Sequence, residues 1–233
     1  MIDREELKAR SAELETANAA EIVRWASERF GTRLTFATSL GIEDCVVTHM
    51  IARQSLPVAF FTLDTGLLFP ETYALRDQIE RLYGVTIAAV RPEYTVEEQA
   101  VREGAELWLR EPDRCCELRK IQPLRNTLVN YDAWITAIRR EQTPERANAP
   151  VVSWDARFGL VKINPLVRWT ATDVRAYVLE HRVPYNPLHD QNYPSIGCVP
   201  CTSPVQAGED PRSGRWRGSE KTECGLHFVR PSS

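Results

Sequence analysis

The 233-residue chain is notable first for what it lacks. No apolar run approaches the ~18 residues that a membrane-spanning helix requires, so no membrane partner is expected. There is no surplus of positive charge. The formal net charge of −3 argues against a nucleic-acid binder driven by bulk electrostatics. The opening stretch, "MIDREELKARSAELETANAAEIVRWASERF", has no basic region followed by an apolar core. It is acidic and amphipathic, so a secretory leader is not expected and a cytoplasmic location is. Internal repeats and low-complexity tracts are also missing, and no G-K-S/T follows the first strand-to-helix turn, which sets the Walker phosphate loop aside. What remains is the composition of an ordinary globular protein, 43% hydrophobic and 26% charged, long enough for one α/β core. Its six cysteines, in a reducing compartment, point to metal binding or chemistry before structural disulfides.

The periodicity alternates. One or two helices open the chain, with apolar residues at Leu7, Leu14, Ile22, Trp25 and Phe30. Strand-like runs follow at "RLTFATS", "PVAFFTLD", "VTIAAV", "YDAWITAI" and "LVKINPL", with helical patterns at "IEDCVVTHMIAR", "FPETYALRDQIERLYG" and "TATDVRAYVLEHR". Strands separated by helices predict an α/β fold with a mostly parallel, twisted sheet flanked by helices. From Pro184 onward the chain becomes rich in Pro, Gly, Ser and Asn and loses its periodicity. The simplest partition is an α/β ligand-binding and cysteine-bearing domain over residues 1–203 and an irregular C-terminal tail over 204–233.

Four cysteines form two close pairs: Cys115 and Cys116 in "RCCELRK", and Cys198 and Cys201 in "GCVPC". Together they can supply four thiolate ligands. Neighbouring residues diverge, so adjacent cysteines rarely build one tetrahedral zinc site, whereas an iron–sulfur cube accepts a sulfur at each corner. Zinc and a chance grouping of buried cysteines stand as the other readings. Lys120 follows Cys116 by four residues; if "CCELRKIQPLRN" begins a helix, it shares that cysteine's face. Cys45 sits in an apolar helical stretch and reads as packing.

Several loops suit an anion. In "FATSLGIED", the small residues Thr38, Ser39 and Gly41 let the backbone approach a ligand at a helix N-terminus. "LDTGLLFPET" leaves the end of the second strand, and in open parallel sheets ligands bind outside those ends. "AIRREQTPER" adds Arg139, Arg140 and Arg146, and "PRSGRWRG" adds Arg212, Arg215 and Arg217, whose planar forks suit phosphate-like and sulfate-like groups.

Taken together, "ATSLGIED", "LDTGLLFPET", "RCCELRKIQPL", "AIRREQTPER", "INPLVRWT", "PYNPLHDQNYPSIGCVPCT", "GRW" and "ECGLH" closely resemble the assimilatory sulfonucleotide reductases. More narrowly, they are similar to the iron–sulfur adenylyl-sulfate (APS) reductases. The motifs run in family order from Phe36 to His227. The resemblance implies an adenine-nucleotide α-hydrolase-like sheet. It implies reduction of APS to sulfite and AMP, with thioredoxin as electron donor, in sulfate assimilation and cysteine biosynthesis. It places a 4Fe–4S cluster on Cys115, Cys116, Cys198 and Cys201, and makes Cys224 the nucleophile that carries an S-sulfocysteine intermediate. The backbone near Leu63 would read adenine, and Thr38, Ser39, Gly41, Lys120, Arg146, Arg212 and Arg215 would surround the phosphosulfate. His189 and His227 acquire no assigned role. Ala137 departs from the glycine often found at its position in relatives, close to adenine. The chain ends soon after "ECGLH" without a thioredoxin-like domain, so a separate reductant is expected.

Three alternatives accompany this reading. The substrate could be 3′-phosphoadenylyl sulfate (PAPS), alone or beside APS. An ATP-dependent sulfurtransferase of the related pyrophosphatase group would show S-G-G-x-D-S where this chain has "TSLGIED". A non-catalytic iron–sulfur or nucleotide sensor would have no need of the thiol at Cys224.

Overall fold

A computed structural model describes residues 3–221 and 223–226. Two helices open the chain, α1 (Arg4–Leu14) and α2 (Ala19–Phe30). Asn18 caps α2 in a reciprocal box with Glu21, satisfying backbone donors that the first turn leaves free. Six strands follow: β1 (Leu34–Ala37), β2 (Ala59–Leu63), β3 (Ile87–Val90), β4 (Ala133–Ile135), β5 (Val152–Asp155) and β6 (Leu160–Ile163). Between them lie α3 (Ile42–Arg53), α4 (Pro70–Tyr83), α5 (Val96–Glu103), α6 (Leu107–Arg110), α7 (Pro112–Cys116) and α8 (Gln122–Leu128), and α9 (Ala171–His181) comes after β6. Proline opens α4 at Pro70, where no amide donor is missed, and Gly84 ends it at φ +65°.

The strands form one sheet in the order β3-β2-β1-β4-β6-β5, parallel throughout except for the β5–β6 pair. Phe36 of β1 stands in register with Phe60 of β2 and Ile135 of β4. Strand alternation divides the core between two faces. One cluster joins Phe36, Phe60 and Ile135 to Ile22 and Val23 of α2, Val47 and Ile51 of α3, and Val174 and Val178 of α9. A smaller cluster holds Phe61 and Trp134 against Leu124 and Leu128 of α8, with Leu160. The doubly covered, mostly parallel sheet predicted from the sequence is therefore present.

Strand β5 is not among the runs read from the sequence. It is a half-buried edge strand that returns antiparallel beside β6 through a turn at Gly159 (φ +72°), so its pattern is neither continuously apolar nor flanked by a helix. Helix α1 lies against it, and the Ser11 hydroxyl accepts from Val152 N at 3.1 Å. The helix around the adjacent cysteines also begins earlier than expected. Pro112 starts it, Cys115 and Cys116 close its first segment, and a π turn over Glu117–Ile121 leads into α8.

The strand order reverses between β1 and β4, and the site forms outside the carboxyl ends of these strands. Among the described residues, no helix is long and apolar enough to cross a membrane. Residues 202–226, as far as they are described, contain only turns, bends and single bridges.

Candidate active site

Beyond β1 the chain bends sharply. Leu40 takes a left-handed φ of +60°, and its amide donates to Thr38 Oγ1 at 3.0 Å. The Ser39 amide and hydroxyl both donate to Asp44 Oδ2, the hydroxyl at 2.7 Å. Burial pushes the Asp44 carboxyl up to about 6, while the Ser39 bonds pull it back. Asp44 thus fixes the small-residue loop from the first turn of α3.

Beyond β2, the loop is tied to the C-x-x-C turn and to Arg119, in the π turn that follows the adjacent cysteines. Thr65 Oγ1 lies 3.3 Å from Cys198 Sγ, and Thr65 O accepts from Arg119 Nε at 2.6 Å. Leu68 forms an antiparallel bridge with Cys198, and Val199 N donates to Leu67 O at 2.8 Å. Arg119 is almost fully buried and also donates to Gln99 Oε1 at 3.0 Å. The tail is fastened to the same place. Ser203 N donates to Gly214 O at 2.8 Å, Thr202 bridges Arg215, and Trp216 N donates to Cys201 O at 3.1 Å. The Arg215 guanidinium lies over the Trp216 ring, 4.5 Å from its centroid.

These loops enclose a cavity of about 420 Å³. Every residue the sequence assigned to the substrate lines it: Thr38, Ser39, Gly41, Leu63, Lys120, Arg146, Arg212 and Arg215. Cys224, half-buried and free, lines it as well. So does Ala137, at the end of β4. Residues far apart in the chain are gathered at the switch point of the sheet, with cations and a thiol facing one space.

Cys115, Cys116 and Cys198 are buried and Cys201 is half-buried, all as free thiols. Burial raises Cys115, and the charges of Cys116 and Cys198 raise it further. Burial also pushes Cys201 up to about 11, with Cys198, Cys116 and Cys115 adding to the rise. Lys120 stands among them. Its own burial would lower it, but the charges of Cys198, Cys116 and Cys224 outweigh that and raise it. The four thiols therefore lie within electrostatic range of one another and of a cation, although only as two pairs. Among the described residues, no three His, Cys, Asp or Glu side chains converge tightly enough to clasp a single metal ion. A tetrahedral zinc site would bring its sulfurs to about 3.8 Å from one another. An iron–sulfur cluster spreads its thiolates over separate irons, and three buried thiols and one half-buried thiol flanked by Lys120 and Arg119 suit its donor set and charge.

Not every arginine behaves as the sequence suggested. Arg140 turns away to Glu15, the C-cap of α1, and to the carbonyl of Ala149. Arg217 pairs with Glu209 at 3.0 Å, and neither it nor Arg140 lines the cavity. Arg139 does line it but is held by Glu43 and Glu141. Conversely, the sequence reading passed over Asp44, Trp134 and Glu223. Glu223 is buried, and its Oε2 accepts from Arg146 Nη2 at 2.9 Å. Only its place inside "ECGLH" could have drawn notice. His189 is buried beside the cavity, and burial lowers it so that the imidazole stays neutral. His227 lies outside the described residues.

Known proteins are similar to this chain in sequence and fold. The family model described as phosphoadenosine phosphosulfate reductase domain matches residues 33–204. The adenosine 5′-phosphosulfate reductase of Rhodococcus opacus (strain B4) is 49% identical, covering 97% of this chain and 95% of its own. Adenosine 5′-phosphosulfate reductase 1 of Bacillus subtilis (strain 168) is 46% identical, covering 90% of each chain. Among solved structures, the phosphoadenylyl-sulfate (PAPS) reductase of Candida auris, as a phosphate complex, superposes with a TM-score of 0.78 at 31% identity. The match covers 88% of this chain and 98% of that one. The FMN adenylyltransferase of Candida glabrata, with FAD and pyrophosphate, shares the fold alone: TM-score 0.58 at 13% identity, over 96% of this chain and 80% of that one. By sequence over nearly its whole length and by fold, the chain belongs to the phosphoadenosine phosphosulfate reductase domain family.

Proposed function

We propose that this protein reduces adenylyl sulfate to sulfite and AMP, with thioredoxin as the electron donor and Cys224 as the nucleophile. The observation that carries the reading is the placement of the Cys224 thiol in one cavity with Lys120, Arg146, Arg212 and Arg215. The names of the relatives at 46–49% identity support APS as the substrate.

The Cys224 thiolate attacks the sulfate sulfur of APS. A new S–S bond forms, the bond from sulfur to the bridging phosphate oxygen breaks, and AMP leaves with that electron pair. Cys224 then carries S–SO₃⁻. A thioredoxin thiolate attacks the Cys224 sulfur, expels sulfite with the electron pair of the S–S bond and forms a mixed disulfide. The second thioredoxin thiol resolves it, leaving oxidised thioredoxin and the Cys224 thiol. Lys120 and the three arginines offset the negative charge of the sulfonucleotide and of the departing phosphate. The Thr38–Gly41 loop presents small residues and a helix N-terminus to the nucleotide, and the end of β2 at Leu63 offers backbone to adenine.

Cys115, Cys116, Cys198 and Cys201 would hold a 4Fe–4S cluster. When bound, it would supply an electrostatic and organising centre linking both cysteine pairs to Lys120. The test is sulfite and AMP release from APS by purified protein with reduced thioredoxin, with PAPS as the comparison substrate. Turnover with APS well above that with PAPS is the expected result; no sulfite from APS contradicts the reading.

A further inference from the structure

Glu223 immediately precedes the thiol and carries a negative charge to the part of the cavity lined by Arg146 and Arg212. Its carboxylate sits between two arginines, with Arg146 Nη2 2.8 Å from Oε1 and Arg212 Nη2 3.4 Å from Oε2. The Glu223 and Arg146 side chains are only 6% and 8% exposed. Salt bridges on a surface contribute little, but a buried pair is costly to break from one side, because the remaining charge stays desolvated. The tail is also anchored on either side of this residue. Lys221 pairs with Asp113 and lies near the carbonyl of Pro112, and Leu226 packs against the cluster of Phe61 and Leu124. Glu223 and Cys224 therefore lie on a short span between two anchors, and the Glu223 pair is the contact beside the thiol.

We propose that Glu223 is a positioning residue that acts as an internal anion, holding Cys224 at the cavity by occupying the arginine fork which the substrate's phosphosulfate must also use. The inference rests on the proposed function only in giving Arg146 and Arg212 to the phosphosulfate. Each guanidinium carries a single positive charge, and an anion arriving at the Nη2 edge of Arg146 or Arg212 meets a carboxylate of like charge already held there at 2.8 Å and 3.4 Å. Arg146 gives Nη1 to Gln142 Oε1 at 2.6 Å and Nη2 to Glu223 Oε2 at 2.9 Å, so Glu223 occupies the Nη2 edge of that guanidinium. Ligand binding and Glu223 docking therefore oppose one another. Linkage requires that each weaken the other by the same factor.

The test uses ADP, an unreactive nucleotide with two linked tetrahedral anions. Titration calorimetry should show Glu223→Gln binding ADP about tenfold more tightly than the parent, because the buried Arg146 and the half-buried Arg212 lose the carboxylate that offsets their charge. Glu223→Asp keeps the charge on a shorter arm and should fall between the two. Without nucleotide, iodoacetamide should modify Cys224 severalfold faster in Glu223→Gln, read by peptide mass spectrometry. Saturating ADP should abolish that difference, since the nucleotide then holds the arginines in both proteins. Equal or weaker ADP binding by Glu223→Gln overturns the proposal, as do equal modification rates without nucleotide. APS turnover by the parent protein is scored separately. Absence of sulfite there strikes the proposed function and leaves the ADP comparison standing, whereas normal turnover with no Glu223→Gln effect strikes this inference alone.

Discussion

The Thr65 hydroxyl stands 3.3 Å from the Cys198 sulfur, joining the loop beyond β2 to the C-x-x-C turn. With Thr65 O accepting from Arg119, one residue connects the cavity wall to the C-x-x-C turn and to the π turn that follows Cys116. Hydrogen bonds to ligand sulfurs raise the potential of an iron–sulfur cluster. If Cys198 is a thiolate ligand of the proposed cluster, the Thr65 hydroxyl donates to it, and Thr65→Val, which keeps the shape and removes that donor, should lower the cluster's midpoint potential in a spectroscopic redox titration. An unchanged potential would show that the hydroxyl does not reach the ligand sulfur.

Two glycines make a controlled pair. A Cβ at Gly197 would come 2.3 Å from Arg215 Nη2, the far end of a side chain that can swing aside. Gly197→Ala should therefore displace the guanidinium from the cavity and raise KM for APS about tenfold, with the melting temperature little changed. A Cβ at Gly214 would come 2.1 Å from the Ser203 carbonyl, which is backbone. Gly214→Ala must shift the tail itself, so kcat/KM should fall by about a hundredfold through misplacement of the reacting thiol. Steady-state kinetics separate the two outcomes.

Lys162 on β6 supplies a pH test. Burial lowers it to about 8 from its ordinary 10.5, Asp155 opposes the fall, and Arg146 and Arg157 reinforce it. Its ammonium lies 5.3 Å from the centroid of the Trp134 ring. Because the folded pKa is depressed, the unfolded chain holds the proton more tightly. The penalty is full below pH 8 and fades as the pH rises to 10.5. Lys162→Met should stabilise the fold at pH 7 by about 1–3 kcal/mol. That advantage should shrink between pH 8 and 10, measured by urea unfolding of both proteins.

Much of the site was legible in the sequence because its parts are local: small residues after an apolar strand, paired cysteines, arginines in polar loops. What was hidden depends on direction. Arg140 and Arg146 look alike within "AIRREQTPER", yet the chain turns one toward Glu15 and the other into the cavity. Glu223 escaped notice because a carboxylate beside an anion site contradicts charge patterning until the tail is seen folded against Arg146 and Arg212. Strand β5 was missed because a half-buried edge strand lacks the apolar run that marks the interior strands. The π turn after Cys116 is a property of backbone hydrogen bonding with no residue signature of its own.

Attack by Cys224 on the sulfate sulfur is the central claim, and mass spectrometry of the protein mixed with APS in the absence of any thiol reductant tests it most directly. The predicted result is one added SO₃ group on the peptide containing Cys224, one equivalent of AMP released, and neither event in Cys224→Ser with its cluster absorbance intact. AMP release without an adduct on Cys224, or normal sulfite production by Cys224→Ser when reductant is supplied, would contradict it.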